Sequence, residues 1–278
     1  MAVLGKHFIS SKVDGLLARM GKVSPPTDLW LAARLQGVLA VAIQPILAEG
    51  GIKVLPNGFK ILLNGKRPCS VDIQASSIPA TEVIWPTLTR RQRFSFAHEI
   101  THSLFFDTST VPPKIMKGMP RKGRLLEYYC HLGARRILLP SSLVIHTLKK
   151  HGTISSDLVL DLCDSFSVSA ETAIRRLNDI GGESFSGRSV LLAELDDSGA
   201  DARILSLCWN TSLLVHFKEP ELHSSLKEWL GTLAEVDFLA AHTVEKVVTR
   251  RSGSFRLRKI PYPNRLRQFF IEIDCNIP

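Results

Sequence analysis

This 278-residue chain is poor in cysteine. Cys69, Cys130, Cys163, Cys208 and Cys275 are scattered and odd in number, and no CxxC pair occurs among them. That argues against a disulfide framework and against a structural Cys/His metal site, and suits reduced thiols in cytosol. Long apolar runs are missing too. Leu29 to Leu47 comes nearest, but Arg34, Gln36, Gln44 and Pro45 interrupt it. A membrane span needs about 20 mainly apolar residues, so a buried helix ending before Pro45 is expected and no membrane partner. The N-terminus lacks the basic, apolar and small-residue series of a signal peptide, which points to a cytoplasmic protein. Internal repeats and low-complexity tracts are absent as well. Acidic residues are in the minority, 26 against 35 Lys and Arg, giving a formal net charge of +9. A hydrophobic content of 45% is ample for a packed core.

Against this background one stretch stands out, His98-Glu99-Ile100-Thr101-His102. Thr89 followed by Gln92 has the form of a capping box, and Phe94, Ala97, Ile100, Leu104 and Phe105 recur near the helical period. Neither Gly nor Pro interrupts Thr89 to Asp107. On a helix, positions four apart share a face, so His98 and His102 can reach one metal ion. Glu99 lies about 100° round the axis, where its carboxylate can act on a water at the metal. This is the donor pattern of a zinc peptidase; His/His/carboxylate ligation also admits manganese or iron.

A third ligand is sought in a second helix running from Leu125 to Leu139 and stopped by Pro140. Glu127 is the strongest candidate, because Glu127, Cys130, Ala134, Ile137 and Leu138 share one face and a carboxylate there needs a partner. Cys130 and His131 are the alternatives. Tyr128, Tyr129, His131 and Arg93 are candidates for stabilising an oxyanion.

Arg93-Phe94-Ser95-Phe96-Ala97-His98-Glu99 resembles the R-F-(T/S)-x-A-H-E opening of the ImmA/IrrE metallopeptidases. Glu127, Cys130, Ala134, Leu138, Leu139 and Pro140 match that family's second motif, E-x-x-C-N-x-F-A-x-x-L-L-M-P. The resemblance implies His98, His102 and Glu127 as metal ligands, Glu99 as general base, and a helix–turn–helix transcriptional repressor as the protein substrate. His131 stands where the family has Asn, Gly133 where it has Phe, and Arg135-Arg136 where it has a small and an acidic residue. Gly133 leaves room that something else must fill. Residues 159–181 resemble the helix–turn–helix segment that follows in the family, and longer members add a GAF-like region.

The expected fold is therefore α+β. A mainly helical peptidase domain with a small sheet occupies 1–150, a helix–turn–helix segment 151–185, and an α+β, GAF-like domain 186–278. Within the first, Gly51–Leu55 and Phe59–Leu63 flank Pro56-Asn57-Gly58 as a hairpin, either purely structural or offering a free edge to which an extended peptide adds its backbone over the metal. Ser156–Ser165 and Ala170–Asp179 read as the paired helices, with Arg175 and Arg176 as candidate DNA contacts. Beyond Gly187, Val190–Leu195, Ile204–Trp209 and Phe269–Ile273 read as strands, Asp196–Gly199 as a turn and Leu222–Ala241 as helix. No phosphate loop or dinucleotide fingerprint appears there. Arg250, Arg251, Arg256, Arg258, Lys259, Arg265 and Arg267 form a basic run suited to nucleic acid or to a solvated face. The leading functional expectation is a metal-dependent endopeptidase. Its rivals are a DNA- or protein-binding regulator with a structural or inactive metal site, and a general protease.

Overall fold

The computed structural model describes residues 2–73, 86–120, 122–181, 188–195, 202–208, 244–250, 253–261 and 268–274. The fold is α+β, as expected. It divides into two compact units, Met1–Pro140 with Ser165–Ser169, and Ser141–Asp164 with Ala170–Pro278. Among the described residues no helix is long and apolar enough to cross a membrane.

The first unit opens with helix α1 (Ala2–Met20) and the short α2 (Leu29–Leu35). Asp28 caps α2, its carboxylate accepting from the Trp30 and Leu31 amides at 3.0 Å. The helix expected across Leu29 to Leu47 stops early. Gly37 takes a left-handed φ of 74° and ends it. The β-branched run that follows becomes strand β1 (Val38–Gln44) instead of more helix. The hairpin forms as read: β2 (Gly50–Leu55) and β3 (Gly58–Asn64) are antiparallel, and Leu55 pairs with Gly58 across a two-residue turn. β3 then runs parallel to β1, which pairs on its other side with β4 (Cys69–Asp72). The order β2-β3-β1-β4 leaves β2 at one edge.

Helix α3 (Arg90–Ser103) starts at the capping box: Thr89 Oγ1 accepts from the Gln92 amide, and the Gln92 side chain accepts from the Thr89 amide at 3.0 Å. Gln92 Nε2 also donates to the Asn64 carbonyl at 3.1 Å, tying the helix start to the end of β3. Phe96, Ala97 and Ile100 are fully buried, and Phe96 meets Trp30 edge-on at 5.0 Å. The two-residue strands β5 (Phe106–Asp107) and β6 (Lys114–Ile115) follow.

Helix α4 (Arg124–Leu138) packs on α3 and on α1. Cys130, Ala134, Ile137 and Leu138 form its buried face. The room left by Gly133 is filled by close approach of α3. A Cβ at Gly133 would stand 2.4 Å from Thr101 Cγ2, and Thr101 is fully buried. Of the two arginines that depart from the family pattern, Arg135 is buried, and Arg136 forks onto Asp14 of α1 with Nε 2.7 Å from Oδ1.

The second unit contains α5 (Ser141–His151), most of α6 (Ser156–Phe166) and α7 (Ala170–Asp179). The turn between α6 and α7 holds Ser167 at φ 53°, and Gly181 ends the pair at φ 96°. An antiparallel sheet of order β8-β7-β11-β10-β9 completes the unit, from β7 (Arg188–Leu195), β8 (Ala202–Cys208), β9 (Val244–Arg250), β10 (Gly253–Pro261) and β11 (Gln268–Asp274). Three of these are the expected strands; β9 and the full extent of β10 are additional. The buried Glu272 accepts from the amide and the hydroxyl of Ser156 at 2.7 and 2.9 Å, placing a carboxylate at the start of α6. The expected turn at Asp196–Gly199 and helix at Leu222–Ala241 lie outside the described residues.

Gly133→Ala tests the α3–α4 contact. Helix propensity alone favours Ala over Gly by about 1 kcal/mol. Overpacking costs about 1–3 kcal/mol, so chemical denaturation is expected to show a net loss that Thr101→Ser partly restores. Net stabilisation by Gly133→Ala would show that the helices are not in tight contact.

Candidate metal centre

The two helices that carry the candidate ligands are held in register by a short chain of bonds. Arg93 Nη2 of α3 donates to the Thr27 carbonyl at 3.0 Å, and the Thr27 hydroxyl donates to the Leu138 carbonyl of α4 at 3.3 Å. Thr27 is fully buried, so this bridge is shielded from water. Burial pulls the Arg93 guanidinium below its ordinary range.

The expected ligands converge. His98 Nε2 lies 3.2 Å from His102 Nε2 and 3.1 Å from Glu127 Oε2, while the other oxygen of Glu127 lies 3.8 Å from His102 Nε2. Around a tetrahedral zinc with bonds near 2.05 Å, ligand atoms sit about 3.3 Å apart. The separations here fit that spacing. Two facing imidazole nitrogens 3.2 Å apart cannot both present lone pairs without a proton or a cation between them, and a divalent ion removes that conflict. One detail departs from common metal sites. His98 Nδ1 is buried without a hydrogen-bond partner among the described residues, whereas a ligating imidazole usually bonds its second nitrogen.

His98 and His102 are mostly covered, at 12% and 16% side-chain exposure, but Glu127 is at 51% and sits at the open side. It is thus at the edge of its helix's buried face. Burial drives the His98 imidazole down to about 3, with His102 and His131 adding to the effect, and lowers His102 as well. Both rings are therefore neutral and able to ligate at physiological pH.

Glu99 is buried beside them. Burial raises its carboxyl to about 7, and the Glu127 charge pushes the same way. Any cation held at His98 and His102 would pull it back down. A Cβ at Gly50 would stand 2.9 Å from Glu99 Oε1, so the glycine lets strand β2 pass directly over the carboxylate.

These side chains line a cleft of about 530 Å³ with Glu49, Gly50, Gly51 and Ile52 of the β2 edge, and Arg91, Phe94, Ser95 and His131. Arg91 and Glu49 pair at its rim, Nε to Oε2 at 2.6 Å. The hairpin was expected to offer an edge to an extended peptide, with neither edge chosen, and it is the β2 edge that borders the cleft; Arg91 carries no sequence signal that would have nominated it. Of the four oxyanion candidates, His131 alone lines the cleft. Tyr129 is buried, its ring within 2.5 Å of where a Cβ on Gly5 would stand. Tyr128 faces a separate groove beside α1, and the Arg93 guanidinium reaches Thr27 instead. Cys130 offers a sulfur near His98 and His102 from the buried side, and burial raises its thiol, with Glu127 and Glu99 adding to this.

The expected nucleic-acid contacts fare differently. Arg176 is buried and donates to Ser141 Oγ at 2.7 Å, so it is not a DNA contact. Arg175 is paired with Glu171. In the basic run, β10 is an interior strand whose register sets Arg258 between Glu245 and Glu272, and Arg256 opposite Asp274. Arg251, Arg265 and Arg267 lie outside the described residues.

No family model and no curated protein matches the sequence. Among solved structures, the fold is similar to a Mycobacterium tuberculosis transcriptional regulator at 13% identity and a TM-score of 0.51, over 97% of this chain and 76% of that one.

If the convergence holds an ion, purified protein binds about one divalent ion per chain, and His98→Ala, His102→Ala or Glu127→Ala each loses most of it by elemental analysis. Full occupancy in Glu127→Ala would remove that carboxylate from the ligand set.

Proposed function

We propose that this chain is a metal-dependent endopeptidase acting in transcription control. His98, His102 and Glu127 hold the ion, zinc by donor set, and Glu99 is the general base. The observation that carries the reading is the convergence of all four side chains on one cleft. The resemblance of Arg93–Glu99 and Glu127–Pro140 to the two ImmA/IrrE motifs supports it, and with it the substrate class, a helix–turn–helix repressor cut at few sites.

A bound ion would polarise the scissile carbonyl and acidify water. Glu99 takes the proton of the attacking water and passes it to the leaving amine. Strand β2 gives the substrate its track. It is the edge of its sheet, and its residues Gly50, Gly51 and Ile52 border the cleft, so an extended peptide can add to it as a further strand across Glu99. The small residues there leave space for that backbone. Phe94 and Ile52 offer apolar contact for a substrate side chain.

A second reading has its own observation. The similar solved structure is titled a transcriptional regulator, which favours a DNA- or protein-binding regulator whose metal site is structural or inactive more than it favours a peptidase. The burial of Arg176 points that reading toward a protein partner before a DNA duplex.

Glu99→Gln separates the two. In the peptidase it keeps the ion and loses at least about 100-fold in the rate of repressor cleavage, the usual scale of general-base catalysis. Equal cleavage by parent and variant would sink the mechanism. A parent that binds the repressor and the ion without cutting would establish the second reading.

A further inference from the structure

The cleft holds one more donor than a peptidase site requires. His131 follows Glu127 by four residues on α4, so the two share a helix face. They look across at His98 and His102, also four apart, on α3. Two such pairs on facing helices bring four donors to one cleft. The ligand atoms of His98, Glu127 and His131 all lie within 4.8 Å of one another. The His131 and His98 rings are 4.8 Å apart at 63°, and His131 lies over Phe94 at 5.6 Å and 26°.

Closed metal sites use four protein ligands, whereas catalytic ones use three and keep a position for water. Glu127 and His131 sit on the open side of the cleft, and both are exposed. Cys130, the other extra donor, is fully buried beneath the site, where packing fixes it. His131 is exposed and lies against the face of Phe94.

We propose that His131 is a fourth protein ligand, which closes the metal site at rest. A substrate backbone entering along β2 then has to displace this side chain. The inference rests on the metal reading given above. It makes the enzyme latent: the position that water and the scissile carbonyl need is covered by a side chain of the same protein.

The test uses the full chain loaded with zinc, the parent beside His131→Ala and His131→Asn. His131 is exposed, so both variants are expected to fold, and far-UV circular dichroism with a thermal melt checks it. X-ray absorption spectroscopy should count three imidazoles around zinc in the parent and two in each variant. Competition with a chelator should show zinc affinity falling at least about tenfold in both, since loss of an outer-shell partner alone typically costs that much. Two imidazoles in the parent, or unchanged affinity in the variants, overturns the role of His131 and leaves the three-ligand site standing. A parent that binds no ion overturns both.

Discussion

Everything proposed for this chain depends on how closely α4 can lie against α3. Gly133 sets that distance, because any side chain there would collide with the buried methyl of Thr101. With the helices this close, the i,i+4 pair of α3 and the i,i+4 pair of α4 line one cleft. The Arg93–Thr27–Leu138 bridge fixes the sliding of one helix along the other. The Gln92–Asn64 bond fixes the start of α3 against β3. Gly50 repeats the device on the opposite wall, where the missing side chain lets β2 lie over Glu99. Two glycines thus do what no polar residue in the cleft could do, and admit backbone where the chemistry needs it.

The same packing explains the electrostatics. Burial in a water-poor cleft discharges the imidazoles and lifts the Glu99 carboxyl, each the response of a titratable group to lost hydration. Such a cluster is expensive to bury without a counter-charge. A bound divalent ion would engage both imidazoles and Glu127. The second unit satisfies its buried charge differently: Glu272 sits at the start of α6 and takes two hydrogen bonds from Ser156. Its basic strand β10 lies in register with acidic residues on both flanking strands.

Local signals were legible and nonlocal ones were not. The Thr89/Gln92 capping box, the His98/His102 spacing, the Pro140 stop and the Pro56-Asn57 turn each act within a few residues, and each appears where the sequence placed it. The run from Leu29 to Leu47 misled because apolar residues alone do not choose between helix and strand; Gly37 and the parallel pairing of β1 with β3 decide it, and that pairing joins segments about twenty residues apart. The hairpin beside the metal helix was legible as a possible peptide track, but that β2 is the strand bordering the cleft needed the fold. Arg176 looked like a DNA contact because charge normally faces solvent, yet it lies buried and bonded to Ser141. His131 was readable as an alternative ligand by its spacing from Glu127, but its place beside His98 needed the fold.

The central claim is that two facing helices hold one ion between His98, His102 and Glu127. The most direct measurement is an anomalous difference map from crystals of the full chain grown with zinc, collected above and below the zinc absorption edge. The account predicts a single strong peak within bonding distance of His98 Nε2, His102 Nε2 and a Glu127 oxygen, about 2.0–2.2 Å from each. A map with no peak in this cleft, or with zinc bound elsewhere on the chain, would contradict it.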